Sequence, residues 1–399
     1  MIVTVPTRFA LAAALLALSG CEALSYYSQA ASGQIALLRS ARPVPDWLGD
    51  PATPAEVKSR LELALRMRAF ASSALGLPDN RSYRNYADLH RTSAVWDVFA
   101  APADSLALKT WCYPIFGCAA YRGYFEQAQA ERLADSLRST GWDAFVAPVP
   151  AYSTLGWFSD PLLSTYINAP ETEVARMIFH ELAHQVLYVH DDTRFNESFA
   201  TEVEEEGLAR WVALRGDPEL EAQFHRSQQR RADLRALVAR TRGELESLYA
   251  SGVAPAQMQA KKLAALEAMH ARYLALRDGP WGGYRGYDEA FGQTWNNARI
   301  GAMAAYRDYV PAFAAMLAQE DGKLPRFYDA VRELAAKPKA ERDALLQRLS
   351  GEQSKQGQAP GIEPRTRRIR PSMRASAGRI PMTCSSAFAG TPRRQTAGA

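Results

Sequence analysis

Apolar residues at Val174, Met177, Ile178, Leu182, Val186 and Leu187 recur at intervals of three and four, the period of a largely buried helix. Leu61, Leu63, Leu65, Met67 and Phe70 supply the apolar surface of another helix from Thr53 to Leu75, with Thr53 as its cap and Pro54 in its first turn. Further helices are predicted over Tyr26–Ser40, Glu126–Thr140 and Asn196–Leu214, and over Phe291–Met316 with an interruption at Pro311. Between 217 and 278 two stripes, Leu234, Leu237, Val238, Leu245, Leu248 and Met258, Leu263, Leu266, Met269, Tyr273, flank a turn at Ser251–Pro255. They read as a two-helix hairpin projecting from the body, serving as scaffold, lid or partner surface. Partial alternation marks strands over Ala94–Phe99 and Leu106–Cys112, separated by the turn-rich Ala101–Asp104, and a third over Asp143–Val149. The pattern as a whole predicts a mainly helical α+β fold with a small sheet.

The ends of the chain break this pattern. Phe9–Leu18 is an apolar run too short to span a bilayer, preceded by a single charge at Arg8. It leads into Leu18-Ser19-Gly20-Cys21, which resembles a bacterial lipobox and implies a lipoprotein signal peptide over 1–20 with lipid on Cys21. Residues 21–50 then read as a tether and first helix, and 51–350 as the main domain. In lipoproteins of this kind an Asp after the cysteine usually means inner-membrane retention. Glu22 therefore points to the outer membrane, facing the periplasm. The formal charge of +4 comes from the other end. Nine Lys and Arg and only two acidic residues lie from Glu352 onward, so the remainder is mildly acidic and has no nucleic-acid signature. The composition of 351–399, basic amid Ser, Gly, Pro and Ala, predicts disorder. Cys112 and Cys118 can pair in an oxidising compartment or sit as two small buried hydrophobes, and Cys384 lies in the tail.

The buried helix carries His180-Glu181-Leu182-Ala183-His184. Residues four apart share a helix face, so the two histidines can hold one zinc ion together. Glu181, beside the first, can take a proton from zinc-bound water. A catalytic zinc wants three protein ligands, and Glu197, at the start of the next helix beside a potential cap in Asn196, is the candidate for the third. Glu204 is a candidate partner for a ligating histidine. His190, off the face of His184, is read as a non-ligand. Asn296, Asn297 and Arg299 are polar groups in an apolar run, and Arg299 and Tyr306 are weak candidates to stabilise an oxyanion.

The His180–His184 motif followed by Asn196-Glu197-Ser198-Phe199-Ala200 resembles the gluzincins, in which the Glu of the second helix is the third zinc ligand, although Glu197 lies closer to His184 than in most of them. With Tyr121-Arg-Gly-Tyr-Phe125, Tyr152–Pro161, His180–Gly207 and Asn296–Arg299, the chain is similar to the putative zinc aminopeptidase family of bacterial envelope lipoproteins over most of 25–345. That resemblance implies a zincin-like catalytic core, one Zn2+ and a peptide substrate. In related peptidases an edge strand upstream of the motif pairs with substrate. This makes Tyr152, Gly156, Trp157 and Asp160 weak substrate candidates, the other reading being an aromatic core strand with its exit turn. An aminopeptidase also needs an acidic group for the substrate amine; the usual Gly-x-Met-Glu-Asn element is missing, with Asp160 as a substitute. An envelope endopeptidase and an inactive peptide-binding lipoprotein are the alternatives.

Overall fold

A computed structural model describes residues 24–113, 117–305 and 307–357. The expected signal peptide over 1–20, Cys21, Tyr306, Cys384 and the residues beyond Gly357 lie outside the described residues. Helix α1 (residues 24–40) leads to β1 (Arg42–Pro43), α2 (Val44–Gly49) and α3 (Ala55–Ser73). There follow β2 (Asn85–Ala87), β3 (Val95–Pro102), β4 (Trp111–Tyr113), β5 (Gly117–Ala119), β6 (Arg122–Tyr124), α4 (Gln127–Ser139), β7 (Trp142–Val149) and β8 (Leu162–Leu163). The rest is helical: α5 (Glu171–Ala183), α6 (Thr193–Arg215), α7 (Pro218–Tyr249), α8 (Pro255–Asp278), α9 (Asp288–Gly292), α10 (Asn297–Ala305), α11 (Val310–Gln319), α12 (Leu324–Ala335) and α13 (Lys339–Gly357). The fold is mainly helical α+β, as the pattern predicts. No helix among the described residues is long and apolar enough to cross a membrane.

The strands form three small sheets, ordered β1-β2-β8, β6-β3-β7 and β4-β5. In the second, β3 is central and pairs antiparallel with β7 from Val95↔Val149 to Pro102↔Trp142. Side chains alternate across a strand. Trp96 and Val98 pack with Tyr124, Ala130 and Ala134 on one face. Phe99 and Ala101 pack with Ala298 and Ala302 of α10 on the other.

The main core gathers around α5 and α6. Phe179, Phe195, Phe199 and Val203 are fully buried with Phe313 and Phe327. Phe70 of α3 meets Phe179 at a tilt and Trp211 edge-to-face, tying three helices together. A Cβ on Gly207 would stand 2.7 Å from Leu75 Cδ1 and 3.0 Å from Phe179 Cδ2. The missing side chain there lets α6 cross α5 closely, which governs how near the acids of α6 come to the histidines of α5.

Several local expectations change. Pro54, not Thr53, is at the N-cap of α3, and Thr53 Oγ1 is buried without a partner. The predicted strand over 106–112 is reduced to Trp111–Tyr113, paired with β5, where Cys112 and Cys118 are joined by a disulfide. Tyr152–Pro161 contains no strand, so it offers no edge of that kind to a substrate. Leu155 and Gly156 both take left-handed conformations, and Asp160 draws the segment into a loop by accepting from Thr154 N at 3.0 Å and Thr154 Oγ1 at 2.7 Å. The cap of α6 is Asp192, which accepts from Phe195 N at 3.2 Å. Asn196 instead holds both backbone groups of Val189, at 2.8 and 2.7 Å. The 217–278 hairpin is anchored to the second sheet through buried Lys262, which pairs with Asp143 of β7 at 2.6 Å. Pro311 falls in the first turn of α11, where it has no amide to lose. Helix α13 continues to Gly357, beyond the predicted tail boundary at 351.

Candidate metal centre

Helix α5 carries nine buried side chains, so its face toward α6 is fixed by packing before any polar contact is made. His180 lies in its last turn. Its rotation continues into His184, whose amide bonds back to His180 O at 3.3 Å. The two rings stand 4.9 Å apart, almost perpendicular. Across the gap, Glu197 Oε2 is 3.3 Å from His180 Nε2 and 3.7 Å from His184 Nε2. Two ligands each about 2.1 Å from a tetrahedral ion stand about 3.4 Å apart, so these spacings are compatible with three ligands of one metal ion. Among the described residues, His180, His184 and Glu197 are the one group of three or more His, Cys, Asp or Glu able to hold a metal.

The surroundings favour that use. Nδ1 of His180 meets Glu204 Oε2 at 2.9 Å, which turns Nε2 toward Glu197. The other oxygen of Glu204 accepts from Arg176 Nη1. Burial opposes the charge of Glu204, but Arg176, His180 and Arg231 outweigh it and hold the carboxyl at about 2. Burial likewise opposes ionisation of Glu197, and His184 and His180 more than offset it. Burial, then His180, pushes His184 down to about 4, keeping the ring neutral as a ligand must be. Glu181 is only 7% exposed. Burial, then the charges of Glu197, Asp160 and Glu204, drives it up to about 8 against the pull of His180. A carboxyl in this position suits a group that accepts and returns a proton near neutrality.

A family model described as "Putative aminopeptidase" matches residues 25–346. The chain belongs to this putative aminopeptidase family. Neither the curated proteins nor the solved structures offered a match.

In this aminopeptidase-family chain the loop of 152–161 runs beside the metal helix: a Cβ on Gly156 would stand 3.8 Å from Gln185 Oε1. Gln185, next after His184, is held in turn by Asn80 Nδ2 at 2.7 Å. Trp157 and Phe158 are exposed on the loop. Tyr152 turns its hydroxyl to Gln34 of α1, and Asp160 is 3% exposed and occupied by the loop itself. The structure therefore gives these two supporting contacts, while Gly156 and Trp157 are exposed on the loop. His190 is exposed and bonds Asp191 Oδ2 at 2.8 Å.

Arg299 is not brought to the centre. Its guanidinium stacks on Phe145 and Trp295, at 4.8 and 4.4 Å, and burial alone lowers it, to about 10, with no site carboxylate acting on it. Asn296 and Asn297 are satisfied structurally: the first accepts from Arg299 N and donates to Ala144 O, the second bonds Pro102 O, Ala103 O and Tyr249. The aromatic groups that do respond to Glu181 are ones sequence reasoning passed over. Tyr83, at φ 63°, has a buried hydroxyl without a partner, and Glu181 adds to the burial that raises it. Tyr121 is raised well above its usual value by burial, then Asp97, Glu197, Tyr188 and Glu181. The available signal was Tyr121-Arg-Gly-Tyr, a glycine inside a strand pattern, which marks a close approach.

Proposed function

We propose that the chain is a zinc-dependent aminopeptidase. The observation that carries this reading is the placement of His180, His184 and Glu197 at zinc-ligand spacing with Glu181 buried beside them. When bound, zinc supplies Lewis acidity that lowers the pKa of water and polarises the scissile carbonyl. The chain's own groups do the rest. Glu204 and Arg176 orient His180. Glu181 accepts a proton from the attacking water as its oxygen bonds to the carbonyl carbon. It then returns that proton to the nitrogen of the breaking C–N bond, so that the products are a carboxylate and an amine. The low exposure of the site limits competing solvent around these transfers.

The reading includes attachment to the bacterial envelope through lipid on Cys21, supported by the Leu18–Cys21 motif and by the Cys112–Cys118 disulfide, a bond typical of oxidising compartments. The test of activity uses the zinc-loaded protein with leucine p-nitroanilide, its N-acetyl derivative and N-terminally blocked peptides. The expected result is cleavage of the free-amine substrate alone, abolished by a zinc chelator and restored by zinc. Cleavage within blocked peptides would make the protein an endopeptidase. No cleavage of any substrate by zinc-loaded protein would make it a binding lipoprotein.

A further inference from the structure

The aminopeptidase reading demands an anionic group for the substrate's ammonium, and the acids nearest the metal centre are already engaged. Glu204 holds His180 and Arg176, Asp160 holds its own loop, and Asp191 accepts from Cys118 N. Asp97 differs from all of these. It lies in the middle of β3 and by alternation shares the face of Phe99 and Ala101, the face turned to α10. It is 6% exposed, and burial and the like charge of Glu197 act on it with no hydrogen bond or cation from the described residues. Aspartate is almost never buried without a partner, because desolvating a lone carboxylate is costly.

The strand beside it is shaped around it. Gly123 of β6 is the cross-strand neighbour of Asp97, and a Cβ there would stand 3.0 Å from Asp97 Oδ1. A glycine inside a strand sacrifices packing and leaves room for a ligand. Asp97 is also coupled to Glu197: burial and then the charge of Glu197 push it up to about 7, and Tyr121 responds to Asp97 and Glu197 together.

We infer that Asp97 is the residue that receives the protonated α-amine of the substrate, in the space left by Gly123, and so selects free N-termini. The assignment rests on the zinc aminopeptidase reading above. A protonated amine would supply the hydrogen bonds and the countercharge that Asp97 lacks, while an acetylated or internal peptide nitrogen would leave the carboxylate buried and unpaired.

Calorimetry on the zinc-loaded full chain, with leucine hydroxamate and N-acetyl-leucine hydroxamate, tests it. The two probes share a metal-binding group and differ in the ammonium. Native protein should bind the free-amine probe at least about tenfold more tightly. Asp97→Asn should weaken that probe about 10- to 100-fold, the worth of a charged hydrogen bond, leaving the acetylated probe and the zinc content unchanged. Asp97→Thr, a second uncharged replacement suited to a strand, serves if the first fails to fold. A preference for the free amine that survives loss of the charge would overturn the assignment, as would native protein that binds both probes equally. Failure of native zinc-loaded protein to bind either probe would instead bring down the peptidase reading, and this assignment with it.

Discussion

Replacing Glu181 with glutamine lowers kcat/KM at least about 10³-fold and leaves the metal content unchanged. General acid–base groups typically contribute 10²- to 10⁴-fold, and the proposed mechanism uses Glu181 both as the acceptor of the water proton and as the donor to the leaving amine. The amide has the same shape but cannot take up a proton. Metal retention is expected because Glu181 is not among the proposed ligands, His180, His184 and Glu197. Burial, with the neighbouring acids, is what drives Glu181 up to about 8, so a neutral glutamine fits its surroundings without an electrostatic penalty. Steady-state kinetics with leucine p-nitroanilide, alongside elemental analysis, measures both halves. Activity within about tenfold of native would remove Glu181 from the mechanism.

Glu204→Gln has the second large effect, and it is of a different kind. Glu204 is 6% exposed and joins α6 to α5 through His180 Nδ1 and Arg176. Arg176 in turn reaches Glu173 at 3.7 Å, and Glu173 binds Arg231 of α7 at 2.6 Å. Removing one partner of a buried pair strands the other and typically costs about 3–5 kcal/mol. Loss of the carboxylate behind a ligating histidine typically weakens metal binding 10- to 100-fold. The double variant Glu204→Gln/Arg176→Met separates the two contributions. It should regain most of the lost stability in denaturant unfolding, because no buried cation is stranded. It should not regain zinc affinity measured against a competing chelator, because the amide of Gln can accept from His180 but lacks the carboxylate charge that raises the basicity of the ring. Full recovery of affinity in the double variant would show that Glu204 acts on the metal only through folding.

The metal helix was legible because two periodicities coincide: apolar positions three and four apart bury α5, and the histidines share its remaining face. Glu197 was legible from its place at the start of the next helix and from the resemblance of its motif, and the structure shows Glu204, seven residues on, on the same face of α6 two turns along. What escaped depends on contacts across the chain. Tyr152–Pro161 has the aromatic content of a strand, yet Asp160 captures Thr154 and bends the segment into a loop, a side-chain-to-backbone effect that composition conceals. Asn196 has the chemistry of a cap, but the loop before it needs its two bonds to Val189, and Asp192 caps instead. Arg299 has the chemistry of an oxyanion donor, but only the structure shows that its guanidinium stacks on Phe145 and Trp295, with no carboxylate of the site acting on it. Asp97 was visible as a lone charge inside Ala94-Val-Trp-Asp-Val-Phe99. Only the pairing of β3 with β6 and β7 shows that this charge faces inward, beside a glycine.

The most direct measurement is the metal content of the purified protein, native and Glu197→Ala, by elemental mass spectrometry. The account predicts about one zinc per native chain and marked loss in the variant, since removing Glu197 leaves two histidines where a stable site needs a third protein ligand. Native protein that takes up no zinc even after reconstitution would contradict the central claim. Zinc fully retained by Glu197→Ala would contradict the ligand set.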